Sequence, residues 1–221
     1  MWFGVLTRMK ELTMPVPTRS RLRSQIAAGA ALILSIVVAP PIAAAASAAQ
    51  DPTALITYVG TQGIQSLGAM SSAERIARLG SLFQQDFDIN GIGLFALGRY
   101  RLAATPAEQQ EFFRLYPEFT VRAFNARLDE YRGAPFRVTG RRAVGSETVV
   151  SSELQSTAGG RVQIDWYLAD TGGQYRITDV TIGGMSMKVA LRNQFASWIE
   201  NNGGRFNALL AVMRQQIAQK W

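Results

Sequence analysis

The 221-residue chain contains neither cysteine nor histidine. Disulfides, thiolate or imidazole metal sites, and Ser-His-Asp or Cys-His nucleophile pairs are therefore excluded. The 16 Asp and Glu residues do not occur at the spacing of a calcium-binding loop. We therefore expect no catalytic residues, no metal ligands and no enzymatic activity. Hydrophobic residues make up 48% of the chain, which is enough for a globular core.

Positive charge is concentrated near the N-terminus. The whole chain has 23 Lys and Arg residues and a net charge of +7. Residues 1–49 contain five of these bases and one acid, which leaves residues 50–221 with a net charge of +3. The later part of the chain contains no basic run, so we expect no nucleic-acid partner.

Residues 1–49 have the pattern of a secretory signal peptide. Basic residues up to Arg23 precede an uncharged run of 13 residues from Ile26 to Val38, and small residues follow as far as Ala48 and Ala49. A membrane-spanning helix needs about 20 apolar residues, so this run is short for a membrane anchor, which is the alternative reading. We predict cleavage near Ala48 or Ala49 and a single domain over residues 50–221.

Helical spacing of apolar residues dominates from residue 51 to about residue 132. One helix is predicted from Leu55 to Leu67, and a second starts at Ser71, which forms a capping-box pattern with Glu74. A short third helix is predicted through Leu94, after a turn at residues 88–91.

The clearest helix start is Thr105, with Pro106 at the first helical position and Glu108 at the third. We expect this helix to extend to about Tyr131. An interior proline removes one hydrogen bond and clashes with the preceding turn, so Pro117 predicts a kink or a break.

The apolar period changes from 3.6 to 2 after residue 133. Four strands are predicted, at residues 136–144, 148–154, 161–169 and 175–182, followed by two helices separated by Gly203 and Gly204. The expected fold class is α+β: a four-stranded antiparallel curved sheet with helices packed on one face. The helical parts cover about 50–132 and 185–221, and the sheet covers about 135–183.

Polar residues of the predicted sheet offer few candidates for chemistry. Asp165 and Asp179 lie on neighbouring strands, and Glu153 is a third carboxylate, but proton transfer would require burial and a raised pKa. We interpret Asp165 and Asp179 as solvated or arginine-paired, and an enzyme that uses Asp165, Asp179 or Glu153 is the least favoured alternative. Gly183 and Gly184 predict a sharp turn from the sheet into the next helix.

Residues 99–142 contain nine arginines and five acids. This stretch predicts either a surface for phosphate groups or an acidic partner, or a solvated helix face with the pairs Glu118–Arg122 and Glu111–Arg114. A second group of residues is apolar, and its role is also ambiguous. These residues suit either an adaptable pocket or the core, and their helical spacing favours the core. The members of this group are Met185, Met187, Phe195, Trp198 and Met213.

Several motifs between residues 87 and 210 resemble the MlaC family, the periplasmic phospholipid-binding component of the Mla transport system, also known as toluene-tolerance auxiliary proteins. These are GRY (98–100) followed by TPAE (105–108), YRG (131–133), VQIDW (162–166) and DVTIGGMS (179–186). They occur in the order typical of the family.

The resemblance implies a periplasmic, monomeric carrier without a cofactor, whose cargo is a phospholipid held by its acyl chains in an apolar cavity. It also implies shuttling between an outer-membrane Mla lipoprotein complex and the inner-membrane Mla ABC transporter complex, which maintains outer-membrane lipid asymmetry. The alternative is a periplasmic binding protein for another hydrophobic ligand, such as a hopanoid.

Two groups of site residues are predicted from the strands, the helices and this resemblance. The lipid-binding group is Leu94, Phe119, Val162, Ile164, Trp166, Val180, Ile182, Met185, Met187, Leu191 and Phe195. The group predicted to dock partners or contact a headgroup is Arg99, Arg122, Arg127 and Arg141.

Overall fold

The computed structural model of the chain describes residues 51–65, 70–128, 131, 134–155 and 160–219. The predicted signal peptide and its cleavage site lie outside these residues. The helices are α1 (Pro52–Gly60), a π-helix (Thr61–Gln65), α2 (Ser72–Asp86), α3 (Ile89–Leu97), a 3-10 helix (Gly98–Leu102), α4 (Pro106–Leu128), α5 (Met187–Glu200) and α6 (Phe206–Ala218). The strands are β1 (Phe136–Val144), β2 (Glu147–Gln155), β3 (Arg161–Asp170), β4 (Tyr175–Ile182) and β5 (Met185–Ser186).

Two predicted helix starts are confirmed by reciprocal capping bonds. The Ser71 amide donates to the Glu74 carboxylate at 2.8 Å, and the Glu74 amide donates to the Ser71 hydroxyl at 3.3 Å. Thr105 and Glu108 repeat this arrangement at the start of α4, at 2.9 and 3.3 Å. Each box satisfies amides that the first helical turn leaves without partners. Within the described residues, no helix combines the length and apolarity needed to cross a membrane.

Of the kink or break predicted at Pro117, the break is wrong, because α4 is helical from Pro106 to Leu128. An interior proline costs about 3 kcal/mol. This cost is outweighed because Phe112 and Tyr116 are fully buried on the face that packs against the neighbouring helices, and Phe119 is almost fully buried.

The first helix also differs from its prediction. The α-helical part ends at Gly60 and continues as a π-helix to Gln65, whereas Leu67 lies outside the described residues. Gly60 and Gly63 weaken the α-helical preference of this segment, which is consistent with the change of helix type.

The sheet is an antiparallel meander in the order β1-β2-β3-β4-β5. Its first four strands lie within one or two residues of their predicted positions, so the α+β class is confirmed. The two-residue strand β5 was not predicted. Gly183 and Gly184, with φ of 56° and 82°, form the two-residue connection that lets β5 fold back on β4.

Three apolar clusters join the helices to one another and to the sheet. The helical core lies among α3, α4, α5 and α6. The sheet core lies between α1 and one face of the sheet, which we call the inner face. A smaller cluster joins α2 to α4 through Leu79, Leu82, Phe83 and Val121. The sheet thus has one apolar and one polar face.

Candidate functional site

The inner face of β3 and β4 brings together five of the predicted lipid-binding residues. Ile164 lies directly opposite Ile182, and Trp166 lies opposite Val180, while Val162 is two residues before Ile164 on the same face. Side chains opposite each other in an antiparallel pair point to the same face, and alternate residues of a strand share it. The period-2 pattern of the sequence therefore placed these residues correctly on one surface.

Coverage of this surface is incomplete at one end. Ile164 and Trp166 are each 5% exposed. By contrast, Val162, Val180 and Ile182 are only half-buried although their side chains are entirely apolar. Met185 lies opposite Ile182 on β5 and is 39% exposed. The inner face therefore ends in an apolar surface that the described helices do not fully cover.

The indole of Trp166 is fixed within this face. Its Nε1 donates to the Ser152 hydroxyl at 2.8 Å, and Ser152 is itself fully buried on β2. The Phe136 ring meets the indole edge-on at 6.4 Å. Since the only polar atom of the indole has a partner, the remaining ring presents apolar surface.

Three predicted residues from the helices lie elsewhere, in the helical core. Phe119, Leu191 and Phe195 are at most 7% exposed. The Phe195 ring contacts those of Phe112, Tyr116, Phe119 and Trp198 at 5.8–6.3 Å between centroids. Met213 is also fully buried there. These side chains contact one another, so the structure separates the predicted group into a sheet part and a helix part.

The remaining two predicted residues lie on the surface or near it. Leu94 on α3 is 38% exposed, and Met187 at the start of α5 is half-buried. Assignment of the whole group to a lipid cavity stays a prediction.

The motif DVTIGGMS connects the sheet to α5. Its first residue, Asp179, is 6% exposed and accepts hydrogen bonds from the Ser186 hydroxyl, the Lys188 amide and the Val180 amide. Ser186, the last residue of the motif, also accepts from the Val189 amide as the N-cap of α5. Asp179 is therefore fully occupied as a structural hydrogen-bond acceptor.

Asp165 lies on the opposite, outer face in an arginine pair. Its carboxylate accepts from Arg142 at 2.8 Å and from the Ser151 hydroxyl at 2.7 Å. Partial burial acts to raise the pKa of Asp165, but the Arg142 and Ser151 hydrogen bonds outweigh it and lower the pKa below its usual value. The third carboxylate, Glu153, pairs with Arg137 at 3.3 Å. The interpretation of Asp165 as an arginine-paired residue is confirmed. The same interpretation of Asp179 is wrong, because its carboxylate is buried and accepts from the Ser186 hydroxyl and two backbone amides, with no arginine partner among the described residues.

The residues that the structure describes contain no group of three acidic side chains able to hold a metal ion.

Two buried polar groups that have an atom without a hydrogen-bond partner in the described structure were not predicted. Asp86, in the last turn of α2, is 8% exposed, and its Oδ2 atom has no hydrogen-bond partner within the described structure. Burial raises its pKa to about 6, against the opposing attraction of Arg176 and Arg78. A sequence signal existed, because Asp86 occupies an apolar-stripe position with Leu79 and Phe83 at i, i+4 and i+7.

The second of these groups is the phenol of Tyr116, which is fully buried in the helical core. Its hydroxyl makes no hydrogen bond to the described residues. Burial raises the pKa of Tyr116 above its usual value, so the phenol stays neutral.

Three of the four arginines predicted to dock partners are engaged in ion pairs. Arg99 contacts Glu200 at 2.6 Å, Arg122 contacts Glu118 at 2.9 Å, and Arg141 contacts Asp51 at 3.4 Å. The side chain of Arg127 lies outside the described part of the molecule. The predicted pairs Glu118–Arg122 and Glu111–Arg114 are both present, as expected of a solvated helix face.

Arg141 also borders an open, partly polar cleft of about 370 Å³ at the end of the β1–β2 hairpin. The cleft is lined by Pro52, Arg141, Arg142, Ala143, Thr148 and Tyr175. None of the predicted lipid-binding residues lies in it.

Known proteins resemble the chain in both sequence and fold. The toluene tolerance protein ttg2D of Pseudomonas putida is 24% identical over 122 residues, which cover 55% of this chain and 57% of that protein. The chain thus matches little more than half the length of this curated relative.

A phospholipid-binding protein from Ralstonia solanacearum, solved in complex with a phospholipid, has the same fold. The two structures superpose with a TM-score of 0.63 at 21% identity, over 76% of this chain and 98% of the other. The family described as MlaC protein matches residues 62–215, well over half of the 221 residues. The chain therefore belongs to the MlaC family.

Proposed function

We propose that this protein binds a phospholipid and carries it through the periplasm between the outer-membrane and inner-membrane Mla complexes. In this role it maintains the lipid asymmetry of the outer membrane. Family membership and the lipid-bound Ralstonia structure support the choice of ligand. The proposal requires export of the chain, with residues 1–49 removed near Ala48 or Ala49.

The observation that carries the proposal is the uncovered end of the inner face. Val162, Val180 and Ile182 are apolar and half-buried, and they lie beside the buried pair Ile164 and Trp166. Acyl chains placed against this surface would complete its burial. The chemistry needed is apolar contact alone, which agrees with the engaged states of Asp165 and Asp179.

A carrier of this kind solves an energetic problem. Two acyl chains contain about 30 methylene groups, and each costs about 0.8 kcal/mol to expose to water. Escape of a phospholipid into water therefore costs on the order of 20–25 kcal/mol before compensation. An apolar surface that receives the chains removes most of this barrier without breaking any bond.

The test is to recover the protein from the periplasm of expressing bacteria, extract its lipid and identify it by mass spectrometry. We expect a phospholipid in near-stoichiometric amount. Ile182→Asp should abolish this lipid, because it places an unpaired charge on the apolar surface. Ala169→Asp is the matched control on the outer face, where Arg176 lies directly opposite, and it should retain the lipid.

Three results would count against the proposal: absence of lipid from the wild-type protein, a hopanoid or other hydrophobic compound in its place, or a folded Ile182→Asp variant with its full lipid content. Circular dichroism would establish that each variant is folded.

Docking to the Mla complexes is the second part of the proposal. Charges near the cargo surface would make association fast and sensitive to salt. Charge reversal at Arg99, Arg122, Arg127 and Arg141 should slow lipid transfer to either complex and leave the bound lipid intact. Transfer rates that do not respond to reversal or to ionic strength would identify these arginines as an ordinary solvated surface.

A further inference from the structure

Exposed apolar side chains are concentrated where α3 packs against the start of α5. Leu94 and Phe95 on α3, with Met185 and Val189 around the N-terminus of α5, are each 37–43% exposed. They account for four of the six large exposed apolar side chains among the described residues. Lone exposed apolar residues are common on protein surfaces, but a concentration of them indicates an interaction site.

Two cations lie on the same surface and stack on one ring. The Lys188 Nζ is 5.3 Å from the centroid of the Phe95 ring, and the Arg192 Cζ is 5.4 Å from it. Both distances are within the range of cation–π contacts. In the described structure, neither cation forms an ion pair with a carboxylate, unlike Arg99 and Arg122.

Gly98 lies next to the Arg192 side chain at the end of α3. A Cβ at this position would lie 3.0 Å from the Arg192 Nε, and the φ of Gly98 is 52°. The glycine of the GRY motif therefore leaves space for Arg192 to extend across the end of α3.

The 3-10 helix that begins at Gly98 ends in the most exposed large apolar side chain of the described residues. Leu102 is 84% exposed and follows the exposed Arg101. Arg99 and Tyr100 of this 3-10 helix contact Glu200 at the C-terminal end of α5, so Leu102 is not placed beside Lys188. We use the term docking face for Leu94, Phe95, Lys188, Val189 and Arg192.

We propose that the docking face binds the surface of an anionic phospholipid bilayer. The unpaired cations match the charge of the lipid phosphates, and the apolar side chains match the boundary between headgroups and acyl chains. The exposed Leu94, Phe95 and Val189 around the cations favour a bilayer over an acidic protein, because fluid lipid accepts such side chains without a preformed pocket. This binding does not depend on internal cargo, so it stands or falls separately from the proposed carrier function.

The first experiment measures flotation of the protein with lipid vesicles, using the protein purified after export by the expressing cell. One set of vesicles contains phosphatidylcholine alone, and the other contains phosphatidylcholine with 30% phosphatidylglycerol. We expect flotation only with the anionic vesicles, decreasing with salt. The double variant Lys188→Gln, Arg192→Gln should lower the partition coefficient roughly thirtyfold, since each cation near an anionic surface contributes about 1 kcal/mol. The charge-matched double variant Arg137→Gln, Arg142→Gln on β1, at the opposite edge of the sheet, should change it much less.

The second experiment uses the absence of cysteine in the chain. A polarity-sensitive fluorophore on Val189→Cys should shift to the blue with anionic vesicles, whereas the same label on Val144→Cys, another exposed valine, should not. Lack of flotation at low ionic strength would overturn the proposal and would favour an acidic protein surface as the partner. Equal losses in the two double variants, or equal shifts of the two labels, would overturn it as well.

Discussion

The helical core and the inner face of the sheet are built from the same kinds of apolar residue, yet they are buried to different degrees. In the helical core, Phe112, Phe195, Leu209 and Met213 have no exposed surface. On the inner face, burial is complete at Leu168 and Ile177 but decreases toward Val180, where the side chains are half-buried.

The difference separates apolar surface that is fully used in folding from apolar surface that the described residues leave partly uncovered. A residue whose contacts are all internal contributes its full burial energy to folding, whereas a half-buried one retains part of that energy for another apolar molecule. Substitutions in the two regions should therefore separate folding from lipid binding.

The largest effect is expected from Phe195→Ala in the helical core. Loss of the ring removes contacts with four aromatic neighbours and leaves a cavity, so the free energy of unfolding should fall by about 3–5 kcal/mol. Urea denaturation measures this change. Val189→Ala on the exposed face of the same helix should have little effect, and equal costs for the two variants would contradict the assignment of Phe195 to a tightly packed core.

A smaller loss of folding stability is expected from a substitution where the sheet joins α5. Asp179→Ala leaves the Lys188 amide and the Ser186 hydroxyl without their acceptor, which should cost about 2–3 kcal/mol. Thermal unfolding of this variant can be compared with that of Asp165→Ala on the outer face. If Asp165→Ala proves the more damaging, Asp179 does not have the structural role described above.

Asp86→Asn should change stability in the opposite direction. The pKa of Asp86 is about 6 in the folded state, above the value near 3.9 in an unfolded chain. Its contribution to stability is therefore fully present below about pH 4 and is lost as the pH rises through 6. The variant should match the wild type near pH 4 and exceed it by about 1–2 kcal/mol at pH 7. Denaturation at pH 4, 5, 6 and 7 measures the difference, and parallel profiles would show that Asp86 does not titrate in this range.

The smallest change in stability, about 1 kcal/mol or less, is expected from Val180→Ala on the half-buried part of the inner face. The same substitution removes apolar surface from the proposed lipid contact. Release of a fluorescent phospholipid should therefore become about fourfold faster. Unchanged release, together with a loss of stability as large as that of a core residue, would make Val180 part of the core.

Local patterns in the sequence predicted much of the fold. The capping pairs at Ser71 and Thr105 and the alternation of β3 each depend on residues a few positions apart, and the structure confirms them. The consequence of Pro117 could not be predicted locally, because the burial that offsets its cost comes from contacts with α5 and α6, which lie much later in the chain.

The candidate site was predicted only in part for the same reason. Alternation identified the inner face, but helical spacing is the same for Phe195 in a filled core as for a residue that lines a cavity. The stacking of Lys188 and Arg192 on Phe95 joins residues more than 90 positions apart, and no local pattern marks it.

The hydrogen bonds around Asp179 also limit how the fold can open. They join β4 to α5 across a two-residue turn, and the Asp88 amide joins the α2–α3 junction to the same strand through the Ile177 carbonyl at 2.9 Å. This side of the molecule is therefore held by directional hydrogen bonds. On the other side of the sheet core, α1 is held by buried apolar side chains and the exposed Asp51–Arg141 ion pair. Apolar contacts impose no fixed angle whereas hydrogen bonds do, so the position of α5 relative to β4 is specified more tightly than that of α1 relative to the sheet.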